Sequence, residues 1–135
     1  MEEKYIKEII NESMRAYKKG EIPVGCIIVN NKKIIAKSHN IVEKKQSVIY
    51  HAEIVALKKA AQKLKNWRLN GCEMYVTLQP CPMCAYAIKM SRIKKVYYLL
   101  PQNEKEISNC EMIYLEEYSK KYKKILQGFF KSIRK

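Results

Sequence analysis

The sequence predicts an α/β fold, a three-layer α/β/α sandwich in which a mixed sheet carries helices on both faces. Two observations support this. Helical and extended segments alternate along most of the chain, and strands separated by helices favour parallel pairing. Two further extended segments have only a tight turn between them, which calls for an antiparallel hairpin.

Taken in order, Ile6, Ile9, Ile10, Met14 and Tyr17 fall on one face of a first helix, and Gly20 is its stop. Residues 24–29 (VGCIIV) and 33–38 (KIIAKS) read as strands joined across Asn30-Asn31, a pair that tolerates positive φ. Residues 51–65 read as a helix with Ile54, Leu57, Ala61 and Leu64 in one stripe. A third strand follows at 74–78 (MYVTL). Next comes a short helix at 82–90, with Pro82 in its first turn, where a missing N–H costs nothing. Residues 94–100 (KKVYYLL) are a fourth strand, and from Met112 the chain reads as helix to its end, with a weak point at Gly128. No repeat or linker divides it, so residues 1–135 are expected to form one domain.

A chain of 135 residues can bury roughly two-thirds of its unfolded surface. It has no apolar run near the ~18 residues of a membrane span. The opening MEEKYIKEII is charged and amphipathic, unlike a signal peptide. Five cysteines, an odd number irregularly spaced, argue against a disulfide framework and for reduced thiols or metal ligands. A cytoplasmic location is expected. Lys and Arg number 27 against 13 acids, a net +14 that favours an anionic partner, nucleic acid first. An AT-rich coding bias would give the same lysine excess. No acid follows Glu117, whereas Lys120, Lys121, Lys123, Lys124, Lys131, Arg134 and Lys135 do.

The stretch MYVTLQPCPMC, residues 74–84, stops an alternating apolar run at Pro80 and sets Cys81 and Cys84 at a helix start. Such a thiol pair fits a redox site, half of a structural zinc site, or part of a catalytic one. The earlier His51-Ala52-Glu53 also opens a helix and supplies the missing partner. His51, Cys81 and Cys84 make three soft ligands. A closed structural zinc site uses four, whereas a catalytic one uses three and leaves a position for water. A helix N-terminus favours thiolate over thiol, and zinc lowers the pKa of its bound water to about 7. Glu53 need not be a ligand, because a carboxylate beside that water can pass its proton to a ring nitrogen and then to a leaving amine. Hydrolytic deamination needs this pairing. A thioredoxin-like dithiol would leave His51 and Glu53 unexplained.

With His-x-Glu and Pro-Cys-x-x-Cys both placed at helix starts, the chain resembles the cytidine deaminase-like superfamily. Within it, the chain is most similar to the bacterial tRNA-specific adenosine deaminases. The resemblance spans roughly residues 4 to 98 and rests on EIPVG (21–25), Asn40, 51–57, NWRL (66–69), 74–85 and SRI (91–93). It implies a sheet of about five strands and one Zn2+ held by His51, Cys81 and Cys84, with Glu53 as proton shuttle. It further implies that Asn40 hydrogen-bonds the target base, that Val24 packs against its face, and that the Ala52 amide helps fix it. The implied partner is a tRNA anticodon stem-loop, bound by a homodimer, with Lys131 and Arg134 on RNA phosphates. Leu126, Phe129, Phe130 and Ile133 form an i, i+3, i+4, i+7 stripe, so core packing is expected of the phenylalanines. The chain departs from the family at Gln79, where glutamate is usual, at Tyr50, and in a glycine-free segment after residue 98. The same chemistry on a free base or nucleoside is one rival reading. A non-catalytic RNA-binding subunit with structural zinc is another, against which Glu53 argues.

Overall fold

The computed structural model of the chain describes residues 2–102 and 110–133. Strands β1 (Gly25–Asn30), β2 (Lys33–His39), β3 (Cys72–Leu78), β4 (Lys95–Leu100) and β5 (Glu111–Tyr114) form one sheet in the order β2-β1-β3-β4-β5. The β1 strand is antiparallel to both neighbours, whereas β3, β4 and β5 run parallel. Helices α1 (Glu2–Lys18) and α5 (Ser119–Ile133) cover one face, and α3 (Ala52–Leu64) and α4 (Pro82–Met90) cover the other. A single-turn helix α2 (Val42–Lys45) lies in the β2–α3 connection.

Strand alternation divides the core in two. Cys26, Ile28, Met74 and Val76 point toward α3 and α4, while Ile27, Val29 and Tyr75 point toward α1 and α5. Cys26 and Cys72 pack as small apolar groups in the first of these layers. All five cysteines are free thiols.

Three expectations need correction. The hairpin turn lies one residue further on: Asn30 pairs with Lys33, and positive φ falls on Asn31 and Lys32. The helix expected from Met112 begins instead as β5, which pairs with β4, and only Ser119 onward is α5. A four-residue apolar run has no periodicity of its own, and its pairing with a distant strand decides the outcome. On α3 the fully buried positions include Ala52, Ala56 and Ala60, while Ile54 and Leu64 are partly buried beside them. Alanines facing the sheet let that helix approach closely.

Gly25 meets α1 even more tightly. A Cβ there would lie 2.1 Å from Ile9 O and 2.7 Å from Ser13 N, both backbone atoms that cannot swing aside. Gly25→Ala is therefore expected to cost about 3 kcal/mol, the upper part of the overpacking range, measured by urea denaturation.

Candidate active site

The two ligand-bearing helix starts are built by their sequences. Pro82 restricts the residue before it to extended backbone, so Cys81 takes φ −71 and ψ 170 and becomes the N-cap of α4. His51 likewise caps α3 with φ −68 and ψ 157. The main-chain carbonyls of both accept the first helical bonds, from Val55 N at 3.1 Å and Ala85 N at 2.8 Å. Neither side chain turns back to cap its own helix. They turn toward each other instead. Cys84 joins them because N-cap and N3 side chains face one another, the geometry of a capping box.

His51 Nδ1 lies 3.6 Å from Cys81 Sγ and 3.5 Å from Cys84 Sγ, and the three ligand atoms all fall within 4.8 Å of one another. Tetrahedral zinc, with its bond lengths to sulfur and nitrogen, sets N···S edges of about 3.5 Å. The donor set and its spacing fit that ion. Burial pushes the Cys84 thiol far above its ordinary value, with Glu53 and Cys81 adding to the rise. Burial also lowers the His51 imidazole. A dication supplies the charge that buried thiolates need, and a neutral imidazole is the ligand form of histidine.

Glu53 is 4% exposed, on the first turn of α3. Burial pushes its carboxyl up to about 7, against hydrogen bonds from its own backbone and from Cys84 that favour the charged form. A carboxyl poised there can both accept and release a proton near neutral pH.

A cavity of about 180 Å³ opens over this group, lined by Val24, Asn40, His51, Ala52, Glu53 and Cys81 among others. The structure thus brings together every expected metal, shuttle and base-contact position. Asn40 is buried, yet its Oδ1 meets no donor among the described residues. Such an orphan costs about 1–3 kcal/mol unless a ligand satisfies it. Its backbone N–H is tied to Val24 O at 3.1 Å. Lys131 lies away from the cavity, exposed on α5, and Arg134 falls outside the described residues. Phe129 packs edge-on against Tyr17, as a core residue does. Phe130 and Ile133 are not core: they line a groove with Ile22, Val48, Asn40 and His51, at whose base Phe129 also lies, and Ile133 is exposed.

Sequence reasoning misses two supporting residues. The buried Glu21 carboxylate accepts from Glu43 N and Lys44 N, both at 2.9 Å, and so caps α2. It thereby fixes the connection whose two ends carry Asn40 and His51. Gln102 donates its backbone N–H to Gln79 Oε1 at 2.7 Å and its side-chain amide to Gln79 O. The amide oxygen of Gln79 accepts a backbone bond that a carboxylate could equally accept, so this departure leaves the turn before Pro80 intact. Both partners lie more than twenty positions away in sequence, so no local pattern announces them.

Residues 1–100 match the family described as the cytidine and deoxycytidylate deaminase zinc-binding region, and the chain belongs to that family. Its mixed five-stranded sheet between helices is the fold of that class. Among curated relatives, the tRNA-specific adenosine deaminase of Bacillus subtilis is 47% identical over 97 residues, 72% of this chain and 60% of that one. The chain thus spans less than two-thirds of that relative. The tRNA-specific adenosine deaminase of Rickettsia bellii is 36% identical over 96% of this chain and 99% of its own. A solved structure from studies of A-to-I editing by tRNA:A34 deaminases at the wobble position superposes with a TM-score of 0.83. It is 27% identical, covering 90% of this chain and 98% of that one. The guanine deaminase of Bacillus subtilis has a TM-score of 0.69 at 34% identity, over 73% of this chain and 64% of its own.

Two substitutions separate the roles. Cys84→Ala is expected to abolish stoichiometric zinc, whereas Glu53→Ala retains one zinc per folded chain, both read by elemental analysis of purified protein.

Proposed function

We propose that residues 1–135 form one zinc-dependent hydrolytic deaminase domain that converts adenosine to inosine at the wobble position of a tRNA anticodon. The observation that carries this reading is the His51–Cys81–Cys84 triangle beside buried Glu53, in a cavity that also holds the unpartnered Asn40 oxygen. The names of the tRNA-acting relatives support the choice of substrate.

His51, Cys81 and Cys84 would hold the zinc, which when bound supplies water activated near neutral pH. Glu53 takes a proton from that water, delivers it to a ring nitrogen of the base, and then serves the departing amine. Asn40 offers its amide to the edge of the base, and Val24 packs against the ring. Ala52 N–H, in the first turn of α3, lacks an intrahelical acceptor and is oriented by the helix start to meet a polar edge. Reaching this cavity requires the adenosine to leave the stacked loop.

The strongly basic surface suits an RNA backbone and gives salt-dependent affinity. Lys131 and Arg134 would contribute there. A homodimer in the cytoplasm completes the proposal. Tyr86 and Met90, one turn apart on α4, are 66% and 47% exposed, an apolar strip suited to a second copy. A solution mass of a single chain would exclude that arrangement. No helix among the described residues is long and apolar enough to cross a membrane.

Guanine deamination is the second reading, favoured by the 34% identity to the guanine deaminase. One assay separates them. The zinc-loaded protein is given an anticodon stem-loop with adenosine at the wobble position, in parallel with free guanine, cytidine and adenosine. Inosine in the stem-loop alone is expected; turnover of free guanine with the stem-loop untouched would sink the proposal. Glu53→Gln is expected to lower the stem-loop rate by about 10²–10⁴-fold with zinc retained. Lys131→Ala should weaken stem-loop binding and lower the slope of log K against log salt by about 0.7–0.9. An unchanged slope would remove Lys131 from the RNA interface.

A further inference from the structure

Two amide side chains that line the cavity keep hydrogen-bonding capacity that the protein does not fill. One is Asn40, whose Oδ1 is buried without a donor. The other is Gln79, which follows β3 directly and is 5% exposed. Most of its polar groups are committed. Its backbone N–H donates to Leu100 O at 2.9 Å, and its carbonyl accepts from the Gln102 side chain. Gln102 N–H, which can only donate, lies 2.7 Å from the side-chain amide and so fixes Oε1 as the end that meets it. What remains is the Nε2 amino group.

Among the described residues nothing accepts from Nε2, yet it is not sealed off as Asn40 Oδ1 is. Gln79 is covered almost everywhere and lines the cavity, so the cavity is where its free donor opens. The glutamate usual in the family at this position differs in kind. A carboxylate would accept from Gln102 N–H equally well, but it has no hydrogen to give. Glutamine keeps the turn and adds a donor.

The base decides what that donor meets. The exocyclic amine of adenine is the group that leaves, and Glu53 serves one ring nitrogen. The purine nitrogens N3 and N7 remain, and both are acceptors without hydrogens. We propose that Gln79 is a substrate-binding residue: its Nε2 donates to one of these two ring nitrogens, a contact that a glutamate there could not make. This rests on the deaminase reading above. A donor built into the site discriminates against any base that carries carbon in place of that nitrogen, because the amide is then left unpaired.

Gln79→Glu exchanges only the amino group for oxygen and keeps the acceptor for Gln102 N–H. The change is made in zinc-loaded Glu53→Ala protein, so that bound substrate is not consumed. Dissociation constants are measured for anticodon stem-loops with adenosine, 3-deazaadenosine or 7-deazaadenosine at the wobble position. With Gln79 present, at least one deaza base is expected to weaken binding about fivefold, the size of one net hydrogen bond. In the Gln79→Glu protein that penalty disappears, because its donor is gone. A smaller folded fraction shifts all three constants together and leaves their ratios where they were. Gln79→Ala should erase the same penalty, and it carries the test if Gln79→Glu does not accumulate. A penalty of equal size with and without the donor belongs to another residue and overturns the proposal. So does the absence of any penalty when Gln79 is present. Should the wild type leave the adenosine stem-loop unconverted, the deaminase reading itself fails.

Discussion

The site depends on a substitution of roles at two helix starts. An N-cap side chain ordinarily bonds back to its own helix, satisfying a backbone N–H that has no partner in the first turn. His51 and Cys81 occupy N-cap positions without doing so, and their side chains meet 3.6 Å apart. Each helix start therefore keeps unsatisfied donors and a positive dipole end directed at one point. Thiolates, a carboxylate and an electron-rich base edge are the groups such a point favours. Pro82 and the two-residue spacing to Cys84 turn that preference into fixed geometry, since proline sets the entry angle and N3 faces the N-cap.

Everything around this point holds the two helices in register with the sheet. The alanine face of α3 lets the helix lie close to β1 and β2, which puts Glu53 deep beneath the cavity instead of at its rim. Ser38 strengthens that approach by donating to Ala52 O at 2.6 Å. On the opposite face, His39 Nδ1 lies 2.8 Å from Glu12 Oε1, a pair that ties the end of β2 to α1. Burial alone would raise the Glu12 carboxyl, yet the His39 hydrogen bond and charge, with Arg15, carry it below its ordinary value. Asn40 follows His39 directly, so the residue with the orphan oxygen is held between the His39–Glu12 hydrogen bond and a backbone bond.

The candidate ligand group is legible in the sequence because it is encoded locally. Two prolines, one Cys-x-x-Cys and one His-x-Glu determine backbone and donor type within a few residues, and α4 spans Pro82–Met90 as its pattern indicates. What could not be read depends on distant partners. Strand β5 exists because β4 has a free edge, and the buried face of α3 is chosen by how closely the sheet lets alanines approach. Glu21 belongs to the EIPVG segment without any sign of the helix it caps, Gln102 and Tyr122 carry no motif, and the three partners lie 22, 23 and 99 positions away. The hairpin differs by one residue because Asn30 gains a strand partner in Lys33 that the turn preference of an Asn pair does not reveal.

Charge separates two tasks that one surface could not perform together. The net +14 acts over a Debye length and, on the proposed function, would gather a polyanion regardless of its sequence. At the cavity the titratable side chains are the opposite of that surface: a carboxyl, the Cys81 thiol with Cys84 behind it, and an imidazole whose charged form burial disfavours, with no lysine or arginine among the described lining residues. A phosphate gains nothing by entering. A base does, because it is neutral, flat and carries donors and acceptors that Asn40 and the α3 start lack. Under the proposed function the basic exterior would supply affinity without selectivity, and the desolvated interior selectivity without long-range attraction. That division explains why Glu53 can remain buried and poised near neutrality in a chain with twice as many bases as acids. The lysines are solvated outside, and the carboxyl is governed by its dry surroundings and by the thiol beside it.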